Sequence, residues 1–281
     1  MTARRRLDAE MEEDLRMLEK LSGETVLYPI IGDPIVNVKS PQSLTASFEA
    51  RGHNGFCVPM QVADRDLDVV VRGLQRVPNV RGVLITMPHK NTMFAHCSTT
   101  SEISRLLNVV SVVRRNADGS WHGDMLDGLA FVMAQKNAGA KLEQARVLQV
   151  GAGGAGRAIA IALLDAGVRE LVLSDVNESR LDESVQLLSG LSHRCVVSGP
   201  PNPTGFDIVV NATPMGMSTN DPLPVPAQLL TSSMFVGDVV AGLGLTPLLQ
   251  AAQAAGCKTA SGVQMVEAGM NLMSDFFLAN D

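Results

Sequence analysis

Apolar residues in this chain fall into two alternating patterns. Compact apolar runs of strand length occupy 25–31, 55–60 and 80–87, and between them apolar residues recur three and four apart. The second pattern marks amphipathic helices, whereas a short continuous run marks a buried strand. Helices are therefore expected from Pro41 to about Ala50 and from Asp64, as N-cap, to about Gln75. In the latter, Leu67, Val70, Val71 and Leu74 share one face. Shorter helices are expected over 90–96 and 100–107, and the runs 109–115 and 121–123 flank Asp118-Gly119 as a hairpin. Asp127 opens an apolar helix to about Asn137. In the second half, strands at 171–173, 194–197, 206–210, 234–239 and 257–260 alternate with helices, one of them over 246–255 behind Pro247. This alternation predicts an α/β fold with mostly parallel sheets. The Met-rich helix 265–278 follows a sheet that is already complete, so it is expected to return to the first half. The division that results is a helical extension over 1–23, an α/β domain over 24–126, a doubly wound domain over 127–257 and a C-terminal segment over 258–281.

The segment 145–175 carries the strongest local signal. The apolar run ARVLQV stops at Gly151, and glycines follow at Gly153, Gly154 and Gly156. An Ala/Ile/Leu-rich helical stretch then runs to Gly167, and a second apolar run ends in Ser174 and Asp175. Strand, glycine turn, helix, strand and acid in that order predict a dinucleotide site. Gly151 permits the tight turn, Gly153 lets backbone approach a pyrophosphate, and Gly156 lets the helix pack onto the strand. The first helical turn, with Gly154 and Ala155, offers free N–H groups and a positive dipole end. Asp175 stands nineteen residues after Gly156, where an acid grips ribose hydroxyls. A carboxylate there repels a 2′-phosphate, and the next residue, Val176, provides no guanidinium. Arg180 reads as a surface residue of the next helix. NAD is therefore expected over NADP.

Composition narrows the class further. The chain has 281 residues, 46% hydrophobic and 19% charged, with a net charge of −6. That charge disfavours nucleic acid or an anionic membrane as main partner. Cys57, Cys97, Cys195 and Cys257 are far apart, without CxxC or Cys/His metal spacing, and are expected as reduced thiols of a cytoplasmic protein with no metal site. No apolar run has the length of a membrane span. Arg4, Arg5 and Arg6 precede no apolar block, so no secretory signal is expected. Residues 7–21 read instead as an amphipathic helix, with Met11, Leu15, Leu18 and Leu21 on one side, packing on the body or on a partner subunit; a homodimer is one assembly this leaves open.

Seven strings, in order, resemble the shikimate/quinate dehydrogenase family: GDPIVNVKSP (32–41), VLITMPHK (83–90), GDMLDG (123–128), GAGGAGRA (151–158), NATPMGM (211–217), DVVAGLGLTPLL (238–249) and GVQMVEAGM (262–270). Together they span the chain from about residue 25 onward. The resemblance implies an N-terminal substrate domain, a Rossmann domain for NAD(P), a C-terminal helix rejoining the first domain, and an active site in the cleft between them. It places a catalytic lysine and aspartate on Lys90 and Asp127. Read without it, Lys90 is a helix start and Asp127 a helix N-cap. Alcohol oxidation needs a base for the hydroxyl proton. An ordinary lysine, with a pKa near about 10.4, serves only where its surroundings prepare it. The resemblance also places substrate groups on Ser40, Thr86 and Ser111, with Gln264 nearby, and cofactor contacts on Thr213, Met217, Val239 and Gly262.

Several positions depart from the family pattern. Its Ser-x-Ser pair is Val38-Lys39-Ser40, and an asparagine before Thr86 is Leu84. A second asparagine falls on Ser111, the tyrosine of D-x-x-Y on Ala241, and a glutamine on Gly269. A buried polar group left unpaired costs about 1–3 kcal/mol. The expected substrate is therefore not shikimate itself but a related cyclic or aliphatic hydroxy compound, less polar or bulkier at the end that faces Val38 and Ala241. Quinate is a narrower possibility, relying on Ser40, Thr86 and Gln264. A non-catalytic NAD or metabolite sensor on the same fold is the alternative. His53, His96 and His193 read as loop or surface residues, His89 as structural beside Lys90, Trp121 and His122 as candidate pocket-shaping residues, and Met265, Met270 and Met273 as core or pocket wall.

Overall fold

The computed structural model describes residues 21–36, 38–191, 194–218, 220–241 and 244–279. Nearly all of the expected N-terminal helix, with Met11, Leu15 and Leu18, lies outside the described residues, as does His193.

Two six-stranded sheets organise the chain. The first contains β1 (Val26–Gly32), β2 (Gly55–Gln61), β3 (Gly82–Ile85), β4 (Thr99–Thr100), β5 (Val112–Arg115) and β6 (Trp121–Asp124), in the order β2-β1-β3-β5-β6-β4. β1 pairs in parallel with β2 and β3, with Tyr28 opposite Cys57 and Ile30 opposite Leu84. β5 and β6 form the expected hairpin, with Val113 opposite Gly123. Its turn places Gly119 at φ +84°, while the Asp118 carboxylate accepts from the Ser120 N–H at 2.9 Å. The helices of this half are α1 (Ser40–Ala50), α2 (Leu67–Leu74), α3 (Lys90–Phe94) and α4 (Glu102–Leu107).

The second sheet holds β7 (Arg146–Val150), β8 (Glu170–Ser174), β9 (Cys195–Ser198), β10 (Ile208–Asn211), β11 (Phe235–Asp238) and β12 (Lys258–Ala260), ordered β12-β11-β10-β7-β8-β9 and parallel throughout. The order reverses direction at β7, as a doubly wound sheet requires. α5 (Asp127–Asn137), α6 (Gly154–Asp165) and α7 (Glu178–Leu191) cover one face, and α8 (Pro247–Ala254) the other. The four central strands, β7, β8, β10 and β11, are buried on both faces, which is why they read as continuous apolar runs rather than alternating ones.

The last helix, α9 (Gly262–Leu278), packs against α1 and α5 and delivers Phe276 and Phe277 to the core of the first sheet beside Tyr28 and Phe48. The two halves are thus tied by α5 and α9. A Cβ on Gly128 would lie 2.2 Å from the Ala158 carbonyl oxygen, so only glycine lets α5 approach α6 this closely.

Several element boundaries differ from the sequence reading. Asp64 caps no helix: 64–66 is a 3-10 turn, and α2 begins only at Leu67. Thr100 belongs to a strand paired with Gly123, and α4 starts behind Ser101, whose hydroxyl accepts from Ser104 N at 3.3 Å. The expected last strand at 257–260 is one residue shorter, Lys258–Ala260, with Phe235 opposite Lys258. α9 starts at Gly262 rather than Met265, initiated by a capping box in which Ser261 and Gln264 bond each other's backbone N–H groups.

Candidate active site

Loops beyond the strand ends build two spaces. The first is a cleft of about 640 Å³ lined by Gly151, Gly153, Asp175, Val176, Arg180, Thr213 and others. Gly151 adopts φ +105°, and a Cβ there would stand 2.7 Å from the Ala212 carbonyl. A Cβ on Gly156 would stand 2.3 Å from the Gly151 carbonyl oxygen, which explains the close helix-to-strand contact. Above Gly153 and Gly154 a Cβ would meet nothing within 4 Å, so both positions face open space, and Gly153 lines the cleft. Gly153 is the N-cap of α6, no side chain caps that turn, and Ala155 lies within it. Exposed first-turn N–H groups beneath open space fit the pyrophosphate of a dinucleotide.

Asp175 sits at the tip of β8 with its side chain nearly buried. Its Oδ2 accepts from Ala152 N at 2.8 Å and Arg180 Nε at 3.0 Å, and its Oδ1 from Asn177 N at 2.9 Å and the Arg180 guanidinium at 2.5 Å. Burial pushes its pKa up. Hydrogen bonds from Arg180, Asn177 and Ala152 and the Arg180 charge outweigh this and hold it below the ordinary value. The sequence reading placed Arg180 on the surface. The first turn of α7 instead carries it back over Asp175 to form a wall of the cleft.

The second space is a cavity of about 270 Å³ at the foot of α9. Lys90, Asp127, Ser40, Thr86 and Ser111 line it on one side; Val38, Leu84, Ala130, Ala241, Gly269, Met265, Met270 and Met273 supply the apolar remainder. Lys90 begins α3, held where its carbonyl accepts from Val110 N at 3.1 Å. Asp127 begins α5, but its carboxylate does not cap that helix. It turns into the cavity and forms an ion pair with Lys90 Nζ. Ser111 is buried, its Oγ accepting from Leu126 N at 2.9 Å, which fixes the approach to Asp127. Lys39 also lines the cavity and carries no ion pair among the described residues.

Four residues singled out from the sequence reach neither wall. Gln264 is spent on the capping box, Met217 is exposed beyond Met215, and Val239 packs against the core. Gly262 is required for packing, since a Cβ there would fall 2.4 Å from the Val239 carbonyl oxygen. His89 is fully buried, with Nε2 2.7 Å from the Val62 carbonyl and its ring turned away from the cavity. Trp121 and His122 also stay clear of the cavity. Trp121 is core beneath Arg115, and His122 stacks on Phe276. His53 meets the Tyr28 hydroxyl at 2.9 Å, and His96 lies 3.6 Å from the Asp68 carboxylate. All four cysteines are free thiols, and burial pushes Cys57 and Cys97 up to about 12. Among the described residues no three potential metal ligands cluster, and no helix is long and apolar enough to cross a membrane.

Residues 30–113 match the family model described as the shikimate dehydrogenase substrate binding domain. Across 252 residues the chain is 38% identical to a shikimate dehydrogenase (NADP(+)) of Rubrobacter xylanophilus, covering 88% of each protein. Among solved structures it is similar to the quinate dehydrogenase of Corynebacterium glutamicum in complex with NAD, at 29% identity and a TM-score of 0.81 over 91% of this chain and 94% of that one. It is also similar to the shikimate 5-dehydrogenase of Listeria monocytogenes in complex with shikimate and NAD, at 25% identity and a TM-score of 0.83 over 93% and 94%. With the glycine cradle, the lysine–aspartate pair and the returning helix all in place, the chain belongs to the shikimate/quinate dehydrogenase family.

Proposed function

We propose that this protein is a dehydrogenase that interconverts a ring hydroxyl and a ketone on a cyclic hydroxy acid related to shikimate and quinate, with NAD as its preferred cofactor. The observation that carries this reading is the Lys90–Asp127 ion pair in the wall of the cavity. Gly128, adjacent to Asp127, abuts Ala158 on the helix whose first turn opens the dinucleotide cleft.

A nicotinamide dinucleotide bound in the cleft supplies the hydride acceptor. Gly151, Gly153, Gly154, Ala155 and Gly156 would hold its pyrophosphate, Asp175 and Val176 its adenosine ribose, and Thr213, which lines the cleft, would stand toward its nicotinamide end. In the oxidative direction Lys90 acts from its neutral amine form: the substrate O–H bond breaks and its proton passes to Nζ, giving the ammonium that pairs with Asp127. The carbon–hydrogen electron pair departs as hydride, leaving a carbonyl. In reduction the Lys90 ammonium returns that proton. Asp127 holds Lys90 in place through the ion pair and accepts a substrate hydroxyl. Ser40, Thr86, Ser111 and Lys39 are the remaining polar groups of the lining; Gln264 could join them only by leaving its cap.

The cavity also favours a substrate less hydroxylated than shikimate. A hydroxyl or carboxylate oxygen set against Val38, Leu84, Ala241 or Gly269 finds no partner there, at about 1–3 kcal/mol each. Lys39 restores one cationic contact for a carboxylate. The NAD preference rests on Asp175 and the absence of a donor at Val176, even though the curated relative is named for NADP(+).

The test is NAD and NADP reduction by wild type and Lys90→Ala on shikimate, quinate and a panel of less hydroxylated cyclic hydroxy acids. Turnover is expected on a panel member, falling about 10²- to 10⁴-fold in Lys90→Ala with cofactor binding retained. Equal turnover by Lys90→Ala would sink the mechanism. Cofactor binding with no turnover by wild type would favour the sensor alternative, for which the depleted polar lining is the supporting observation.

A further inference from the structure

β7 is apolar at Val147, Leu148 and Val150 but carries a fully buried amide at Gln149. An unbranched apolar side chain would fill the same space. It would also avoid a stranded acceptor, since Gln149 Oε1 has no partner among the described residues. The amide group is directed at the glycine loop. Gln149 Nε2 donates to the Gly151 carbonyl at 2.8 Å and to the Gly156 carbonyl, in the first turn of α6, also at 2.8 Å.

The effect is to fix one peptide plane. The Gly151–Ala152 peptide is held at its carbonyl by Gln149 and at its N–H by the Asp175 carboxylate, 2.8 Å away. The flanking groups are tied too: Gly151 N donates to the Ser174 carbonyl at 2.8 Å, and the Ala152 carbonyl accepts from the buried Ser184 hydroxyl at 3.3 Å. A glycine turn is intrinsically free to adopt many conformations. Here every backbone polar group of Gly151 and Ala152 is bound within the protein, and the Gln149 side chain ties Gly151 to Gly156 in the helix that follows. A loop already held in its bound shape loses less conformational freedom when a ligand arrives.

We propose that Gln149 is a positioning residue for the cofactor: its buried amide holds the glycine turn and the start of α6 in the geometry that receives the pyrophosphate. This rests on the cleft binding a nicotinamide dinucleotide. The test is fluorescence titration of NADH and NADPH into wild type, Gln149→Met and Gln149→Glu, with thermal unfolding of each apo protein. The methionine keeps length and burial without the donor. The glutamate keeps the shape but turns an acceptor toward two carbonyls. Both variants are expected to bind the cofactor at least tenfold more weakly. The Gln149→Met apo protein is expected to unfold near the wild-type temperature, and its kcat at saturating cofactor to be unchanged. Unchanged affinity in either folded variant would overturn the proposal. So would failure of both to fold, since that assigns the amide to the core rather than to the loop. Wild type binding neither dinucleotide would overturn the reading of the cleft itself, an outcome distinct from the other two.

Discussion

Replacing Asp175 by Asn probes the cofactor cleft with the least change in shape. The carboxylate is nearly buried and accepts from Ala152 N, Asn177 N and two guanidinium nitrogens of Arg180. It is anionic at neutral pH, because those hydrogen bonds and the Arg180 charge overcome the upward push of burial. A 2′-phosphate entering the same corner would approach to about 5 Å, where two unit charges at an effective dielectric of about 20 repel by about 3 kcal/mol. Arg180 offsets part of this, and a phosphate carries more than one charge, so a net penalty of about 2–3 kcal/mol against NADP is expected. Asp175→Asn removes the repulsion and frees Arg180 to pair with the phosphate, while weakening the hydrogen bond to a 2′-hydroxyl by about 1 kcal/mol. These changes together come to about 3–4 kcal/mol, so the ratio of NADPH to NADH affinity should rise by a few hundredfold, about 150- to 900-fold. Titration of reduced cofactor fluorescence measures this without knowledge of the substrate. A change below about threefold, or a wild type that already binds NADPH as tightly as NADH, would refute the reasoning.

Asp175 also leaves a signature in acid. Its pKa in the folded protein lies below the unfolded value, so its contribution is fully present above pH about 4 and is lost as the pH falls through the folded value; Asp175→Asn should lack that slope in acid unfolding. Gly128→Ala puts a methyl 2.2 Å from the Ala158 carbonyl oxygen and must part α5 from α6. It is expected to destabilise by about 2–4 kcal/mol and to lower kcat by displacing Asp127, and thermal unfolding within about 1 °C of wild type would contradict the packing argument. Lys39→Met should raise KM about tenfold for a carboxylate substrate, with kcat and the KM of its carboxamide analogue unchanged. An equal effect on both compounds would remove Lys39 from carboxylate recognition.

The dinucleotide cradle was legible because each of its parts is local. The β7 run, the glycines and the Ala-rich helix are set by strand and helix periodicity and by the left-handed backbone at Gly151. The β5–β6 hairpin was legible for the same reason, from Asp118-Gly119. Lys90 and Asp127 were found through motif resemblance alone, since each has an ordinary local role at a helix start. Misreadings arose where a short-range signal had a competitor. Gln264 resembled a substrate ligand but satisfies the first turn of α9, and Thr100 was drawn from a helix into pairing with Gly123.

Arg180 and Gln149 mark the boundary between the two kinds of information. Their identities were plain, but their roles depend on directions that no periodicity encodes. One guanidinium folds back from α7 onto a strand tip, and one amide points from β7 under the turn that follows it. The amino-acid order was sufficient for the α/β alternation, the two sheets and the dinucleotide turn, because hydrophobic spacing and backbone sterics act over a few residues. The pairing of Lys90 with Asp127, the apolar wall facing them and the clamped glycine loop exist only once α5 and α9 bring distant segments together. Side-chain hydrogen bonds and burial are properties of that assembled packing, not of any single stretch of chain.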